Sequence, residues 1–486
     1  MIPRRRTITF SRVLICVGAL AVFCVCTLLM GNAAPTLDDL YPLPKLNLTS
    51  SDPAHGFIVQ GSLTTQKQHE FTLPQSLNSS KYDSNSTWAD LFQPPPAYSH
   101  VLNSIDYLNT HHEVRNEAKF GNPSNASFVI VVQVHQRIEY LKLLIDTLRH
   151  AVGIEEALLV FSHDLYDEAI NDVVREIDFC RVIQIFYPTN IQIFANVFPG
   201  TDPDDCVPRE TVAKANETKC GGYDHPDTYG HYRLGSLSQI KHHWWWKMNY
   251  VYDGIMKRYG LTKHYVVLLE EDHYVSPDFV HVMKQMVKDK DTFCPTCQVL
   301  CLGFYLKNYN SYATNTNKLA IHPWFSSKHN MAMAINGDTW EKIRNCAKFF
   351  CTYDDYNWDW SLLQLSVKCL PTRLKVVVAK SPRVIHVGDC GVHTHRCNKN
   401  SAANNAKALF AHVASSLFPT QLKVSEISSR TLKPSKPNGG WGDIRDQGLC
   451  LANTARYRPL ADNPASGVNI NMSALFEPPI LVPPPI

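Results

Sequence analysis

The chain has 486 residues, 19% of them charged and 44% hydrophobic, with a formal net charge of +3. That near-neutral balance, with no long Lys/Arg block, argues against a nucleic-acid partner. Of its 15 cysteines, Cys16, Cys24 and Cys26 fall in one N-terminal apolar stretch; the twelve that remain are an even number, suited to disulfides in an oxidising compartment.

Arg4-Arg5-Arg6 and Arg12 precede Val13 to Met30, an uncharged stretch just long enough to span a bilayer. A cleaved signal peptide is the competing reading, because small residues follow at Gly31-Asn32-Ala33-Ala34, but the span exceeds a usual h-region. The charge asymmetry puts residues 1–12 in the cytoplasm, residues 13–30 in the membrane and the rest in the lumen. Asn47, Asn78, Asn85, Asn125, Asn216 and Asn471 each head an N-x-S/T sequon that a lumen would glycosylate. Residues 31–120 are rich in Pro, Ser, Asn and Thr, which is stem composition. Within them, Val101 to Lys119 has apolar residues at helical spacing and predicts one lead-in helix, where ordered structure begins.

Phe128 to Val134 predicts a buried strand, and Leu141, Leu144, Ile145 and Leu148 then give helical spacing over Ile138 to His150. Further strands are expected at Ala157 to Phe161 and Val182 to Tyr187. This alternation is the nucleotide-binding half of a doubly wound sheet, with ligand-facing loops at Gln133 to Arg137 and at Asp164. The roughly 330 residues up to Cys450 suffice for one compact catalytic domain. The tail beyond is polar and Pro-rich, and reads as peripheral.

Leu237, Ile240, Trp244, Val251 and Ile255 mark one face of a helix carrying Lys241-His-His-Trp-Trp-Trp-Lys247. Adjacent His242 and His243 point in different directions and do not clasp one metal. They are either a packed pair beneath a tryptophan core or, with Lys241, contacts to a pyrophosphate. Tyr265-Val-Val-Leu-Leu-Glu-Glu-Asp-His273 is a buried strand ending in three carboxylates, where open α/β sheets bind ligands. A divalent metal carrying a nucleotide diphosphate would satisfy Glu270, Glu271 and Asp272; a solvated acidic turn is the plainer alternative. Ser276-Pro277-Asp278 then reads as an N-cap, a first-turn proline and an acid placed for the helix dipole.

Tyr353-Asp-Asp-Tyr-Asn-Trp-Asp-Trp360 is a second acidic cluster, with Asp354 or Asp355 expected to cap the helix that follows. Asp359, between two tryptophans, suits a desolvated proton acceptor, or else a first-turn acid facing the dipole. His386 follows the β-like run Leu374 to Val378 and is placed to complete a carboxylate-dominated metal site, though a lone histidine is commonly structural. His393 and His395 lie near Cys390 and Cys397 without the spacing of a zinc finger.

GHYR (Gly230 to Arg233), KHHWWWK (Lys241 to Lys247), LEEDHY (Leu269 to Tyr274), KHNMA (Lys328 to Ala332), CTYDDYNWDW (Cys351 to Trp360), HVGDCG (His386 to Gly391) and NGGWGDIRD (Asn438 to Asp446) together resemble the N-acetylglucosaminyltransferase II family. These are the α-1,6-mannosyl-glycoprotein 2-β-N-acetylglucosaminyltransferases of complex N-glycan synthesis. The resemblance implies a GT-A-type nucleotide-sugar-binding fold, α/β with a mostly parallel central sheet, as the catalytic domain at 121–453, followed by a tail at 454–486. It implies a single-pass type II enzyme of the Golgi membrane, with UDP-N-acetylglucosamine as donor and Mn²⁺ as cofactor. The implied partners are that donor, N-glycan acceptors on glycoproteins and the membrane, with a homodimer as an open option.

On the same resemblance the nucleotide contacts fall on Gln133, Val134, His135, Gln136, Arg137, Asp164, Gln239, Ile240, Lys241, His242 and His243. The metal ligands fall on Asp272 and His386 and the catalytic base on Asp359, with Glu270 and Glu271 orienting the site. The family's donor-reaching arginine has no counterpart around Lys307-Asn-Tyr-Asn310. An inverting transfer needs one base, whereas a glycosidase needs two carboxylates and Asp359 has no evident partner. A luminal lectin or scaffold of the same fold that does not turn over is the alternative; it would be marked by loss of Asp272, His386 or Asp359, and all three are present.

The cysteines are expected to pair as Cys294–Cys297, Cys390–Cys397, Cys206–Cys220 and Cys346–Cys369, with Cys351–Cys450 added by analogy with the family. Cys180 and Cys301 are left as buried thiols.

Overall fold

The structure, a computed structural model, describes residues 98–305, 309–388, 401–430 and 436–454. Residues 13–30, the pair Cys390 and Cys397, and Lys307 lie outside these. No helix among the described residues is long and apolar enough to cross a membrane.

The single lead-in helix expected over residues 101–119 is two pieces: α1 (Ser99–His111) and a short turn, Glu117–Phe120. His112 breaks it in a left-handed conformation, with its ring held by the Tyr250 hydroxyl at 2.6 Å. Asn109 on α1 exchanges two hydrogen bonds with the backbone of Phe186, at 2.7 and 2.8 Å. That covers a sheet edge which would otherwise present unpaired N–H and C=O groups.

Along the chain follow β1 (Phe128–Val134), α2 (Ile138–Arg149), β2 (Ala157–His163), α3 (Glu168–Arg175), β3 (Arg181–Phe186), α4 (Gly235–Tyr250) and β4 (Tyr265–Glu270). Next come β5 (His273–Val275), α5 (Phe279–Lys288), β6 (Val299–Cys301), β7 (Lys318–Pro323), β8 (Met333–Asn336) and α6 (Trp358–Lys368). β9 (Lys375–Ala379), β10 (Val384–His386), β11 (Lys423–Ile427) and α7 (Ile444–Ala452) complete the elements used below. Among the described residues, nine strands form one sheet in the order β11-β7-β9-β6-β8-β4-β1-β2-β3, and β5 pairs with β10. β4, β1, β2 and β3 run parallel, while β8 is antiparallel to both its neighbours and β7 to β9. The sheet is therefore mostly parallel, with helices on both faces, as its continuous apolar strands require.

Val129, Val131, Leu158, Val160, Val266 and Leu268 turn one way and pack with Trp244, Trp245, Trp340, Trp358 and Trp441 beneath α4, α6 and α7. Ile130, Val132, Leu159 and Val267 turn the other way, under α2, α3 and α5. Trp244 stacks on Trp358 with ring centroids 4.4 Å apart, and Trp245 stacks on Phe350 at 4.2 Å. The bridges Cys206–Cys220, Cys294–Cys297, Cys346–Cys369 and Cys351–Cys450 are present as expected, and Cys180 and Cys301 are buried free thiols.

Two helix starts differ from the sequence reading. Asp278 is not a dipole acid in the first turn: it precedes α5, fully buried, and both its oxygens lie 3.0 Å from the Nε of buried Arg383. Ser276 donates to Asp278 at 2.7 Å and does not accept from a helix N–H as a cap would. Neither Asp354 nor Asp355 caps α6, whose N-cap is Asn357. Asp354 accepts from Thr228 and from the Trp441 N–H, while Asp355 accepts from Asn357 and Asn438. Both acids thus tie α6 to the loop before α7, because a buried carboxylate takes the richest set of donors within reach. Since the Asp278–Arg383 pair is out of water, Arg383→Met leaves one uncompensated buried charge and should cost about 3–5 kcal/mol. Equilibrium urea denaturation checks this; a loss near zero would mean the pair is replaceable.

Candidate active site at the sheet's carboxyl end

Backbone register sets the site. Gln133 of β1 lies opposite Ser162 of β2 on one side and Glu270 of β4 on the other. Strand alternation turns all three toward α4. There the stripe Gln239, His243, Lys247, at i, i+4 and i+8, meets them. Ser162 Oγ is 2.8 Å from His243 Nε2, and Lys247 Nζ donates to Gln133 Oε1. Gln239 accepts from the Ile191 N–H at 2.7 Å and also bonds Asp164.

Asp164, just past β2, lies 2.7 Å from His135 Nδ1. Burial is the largest influence and opposes charge on both, but their mutual attraction, with Glu271 acting on His135 and with His243 and Gln239 acting on Asp164, outweighs it, so His135 rises and Asp164 falls. Glu271 clamps the loop after β1, accepting from the N–H groups of His135 (2.7 Å) and Arg137 (3.3 Å) and from Arg137 Nε (3.0 Å). Val134 is buried and Gln136 exposed at the same turn.

Asp272 is buried, with Oδ2 3.0 Å from His386 Nε2 and 2.8 Å from Arg137 Nη1. Burial would raise its pKa, but His386 and Arg137 override it and hold the carboxyl well below the usual range. Its other oxygen, Oδ1, is buried with no hydrogen-bond partner among the described residues. A buried carboxylate oxygen without a donor is costly unless something binds it. Glu270, Asp272 and His273 also place ligand atoms within 4.8 Å of one another. A Cβ on Gly388 would stand 2.1 Å from Asp272 Oδ2, so glycine is needed for the carboxylate to sit there. These donors fit a hard divalent cation, with Asp272 and His386 as the candidate holders.

Asp359 lies in the first turn of α6, buried, accepting from Asn330 Nδ2 at 3.0 Å and from the Trp360 N–H at 2.9 Å. Burial pushes its pKa up to about 7, against those two hydrogen bonds. Its desolvation is not a sandwich between tryptophan rings: Trp358 turns inward onto Trp244, and Trp360 packs edge-on to Phe325. Tyr305 lies within the electrostatic reach of both acidic clusters. Its ring is 5.7 Å from His386, and after desolvation the charges of Glu270, Asp272 and Asp359 help push its hydroxyl up to about 12.

Not every sequence candidate reaches these strand ends. Lys241 is wholly buried, donating to the carbonyls of Tyr353 (3.0 Å) and Asp355 (2.9 Å) with Trp441 beside it. His242 lies 3.0 Å from Asp446 of α7, which also binds Arg233, and Ile240 packs at the core edge. Successive helix residues turn by about 100°, so Lys241 and His242 face away from the stripe that holds His243. Lys247, Asn330, Tyr305 and Gly388 were not singled out from sequence. For Lys247 a signal existed, one i+4 step beyond His243.

The family model for N-acetylglucosaminyltransferase II (MGAT2) matches residues 102–450. The chain belongs to the N-acetylglucosaminyltransferase II family. It is a glycosyltransferase. It is 39% identical over 441 residues to the Sus scrofa α-1,6-mannosyl-glycoprotein 2-β-N-acetylglucosaminyltransferase, covering 85% of this chain and 98% of that protein. The Homo sapiens protein of that name is 43% identical over 348 residues (71% and 77% covered), and the Arabidopsis thaliana one 31% over 357 residues (72% and 80%). Among solved structures, the galactosyltransferase LgtC with donor and acceptor sugar analogs aligns at TM-score 0.31 and 12% identity, covering 60% of this chain and 97% of that one. Gly388→Ala should displace the Asp272 carboxylate and weaken binding of a divalent cation at this candidate site by roughly 10-fold or more. Mn²⁺ titration by electron paramagnetic resonance reads this, and unchanged affinity would separate Gly388 from the cation site.

Proposed function

We propose that the chain transfers N-acetylglucosamine from UDP-N-acetylglucosamine, with inversion, to the 2-hydroxyl of the α-1,6-arm mannose of an N-glycan core. The observation that carries it is the presence, around Tyr305, of both Asp272 with its buried oxygen unpartnered among the described residues and Asp359, a carboxylate shifted to about 7. The nucleotide end rests on the loop after β1, which Glu271 clamps, and on Asp164; the GT-A-type organisation accounts for their place at the carboxyl ends of parallel strands. Bound Mn²⁺ would supply divalent charge to offset that developing on the UDP leaving group. Asp272 and His386 would hold it, while Arg137, already on Asp272, keeps that carboxylate ionised before the cation arrives. Asp359 accepts the proton from the mannose hydroxyl, with Asn330 and the Trp360 N–H fixing its direction. One carboxylate base is enough for a single displacement at the sugar carbon. In the cell this reading places the chain as a type II protein of the Golgi membrane, anchored by residues 13–30 and facing the lumen.

A base that ionises near pH 7 leaves a signature. Below its pKa Asp359 is protonated, so kcat/KM should fall about tenfold per pH unit on the acid side of an apparent pKa near 7. The same raised carboxyl pKa favours the neutral form in the folded state, so its contribution to stability declines as pH rises from the ordinary aspartate value of 3.8 toward about 7. Asp359→Asn should lower turnover on a mannose-core glycan by roughly 10² to 10⁴ while UDP binding stays near wild type. Turnover within a few-fold of wild type would move the base elsewhere, and loss of UDP binding or folding would make Asp359 structural.

A further inference from the structure

Lys247 is the member of the α4 stripe to which the proposed chemistry gives no part. Its side chain is fully buried, yet it ends beside the donor-side row and not in the apolar core. The hydrogen bond described for its amine goes to Gln133 Oε1, and Glu270 and Asp164 are the charges that act on it. Burying an amine on a long side chain is costly and is tolerated where its charge or its donors hold something in place.

The contact has a directional consequence. A carboxamide presents an acceptor at one end and two donors at the other, and its two ends are nearly the same size. Left alone, Gln133 would offer either end to a ligand. Burial pulls the Lys247 amine down to about 7 against the charges of Glu270 and Asp164; in the protonated form it is donor-only, and its contact with Oε1 turns Nε2 outward. Gln133 is half-buried at the carboxyl end of β1, next to the Glu271-clamped loop, and its Nε2 has no partner among the described residues. The group presented to the ligand is therefore an N–H pair, able to meet a carbonyl or phosphate oxygen and unable to meet another donor.

We propose that Lys247 is a positioning residue for the nucleotide donor: by holding Gln133 Oε1 it fixes the Gln133 N–H₂ group as a hydrogen-bond donor to an oxygen of the nucleotide diphosphate sugar. The proposal rests on the donor reading of the preceding subsection. It assigns Lys247 to donor binding and leaves the acceptor and the proton transfer untouched.

Two variants separate this from a merely structural role. Lys247→Met keeps the length of the side chain and removes the donor. It should raise KM for UDP-N-acetylglucosamine roughly 10- to 100-fold, the scale of a charge-assisted hydrogen bond, with kcat at saturating donor and KM for the glycan acceptor within a few-fold of wild type. Gln133→Glu keeps an acceptor for Lys247, and so keeps the fold, but shows the ligand an oxygen instead of N–H₂. It should weaken UDP binding at least as much, with the thermal midpoint unchanged or raised. Lys247→Arg, which is still donor-only and long enough to reach Gln133, should recover part of the loss. Unchanged donor KM in Lys247→Met, or wild-type UDP binding by Gln133→Glu, overturns the proposal, as does a loss shared equally by donor, acceptor and kcat. If the wild-type enzyme itself fails to bind UDP, the donor reading fails instead, and the two failures are told apart by that single control.

Discussion

Carboxylates that leave water must be met by donors or opposite charge, or the fold loses several kcal/mol for each. The three at the end of β4 impose that demand on everything around them. Glu271 is answered by two backbone N–H groups and the Arg137 guanidinium, which shapes the loop after β1. Asp272 draws Arg137 from that loop and His386 from β10, and the antiparallel pairing of β5 with β10 holds His386 opposite His273. Glu270 faces Lys247 from α4. The candidate metal site, the loop after β1 and α4 therefore converge because one strand ends in acids.

The second half of the site is placed by aromatic packing. Trp358 lies flat on Trp244, so the first turn of α6 is registered against the same helix that carries His243 and Lys247. The bridges Cys346–Cys369 and Cys351–Cys450 hold α6 and α7 to that layer. Asp359, one residue past Trp358, is thereby fixed in direction before any ligand arrives. Preorganisation of this kind lets a single carboxylate serve as base without first reorienting.

The strands of the nucleotide half were legible because β-branched runs bounded by turn residues carry their own signal: β1 came out residue for residue, and β2 and β3 within one or two residues at an end. The acidic strand end was legible for the same reason. Partners distant in sequence were not. Asp278 looks like any helix-start acid until Arg383 arrives from 105 residues away, and Asp355 looks like a cap until Asn438 claims it. Local pattern could not rank Lys241 against Lys247 either. Both lie in one basic-aromatic motif, and only the three-dimensional position of β1 shows that Lys247 meets the strand ends while Lys241 meets the 353–355 segment.

The central claim is that the acids at the end of β4 hold a cation that in turn holds the donor diphosphate. Calorimetric titration of UDP into the purified protein and into its Asp272→Ala variant, each with and without Mn²⁺, tests it most directly. The account predicts that Mn²⁺ strengthens UDP binding to the wild type and that this gain vanishes in the variant, which remains folded. Equal Mn²⁺-dependent UDP binding by both would contradict it and reduce the strand-end acids to a buried turn.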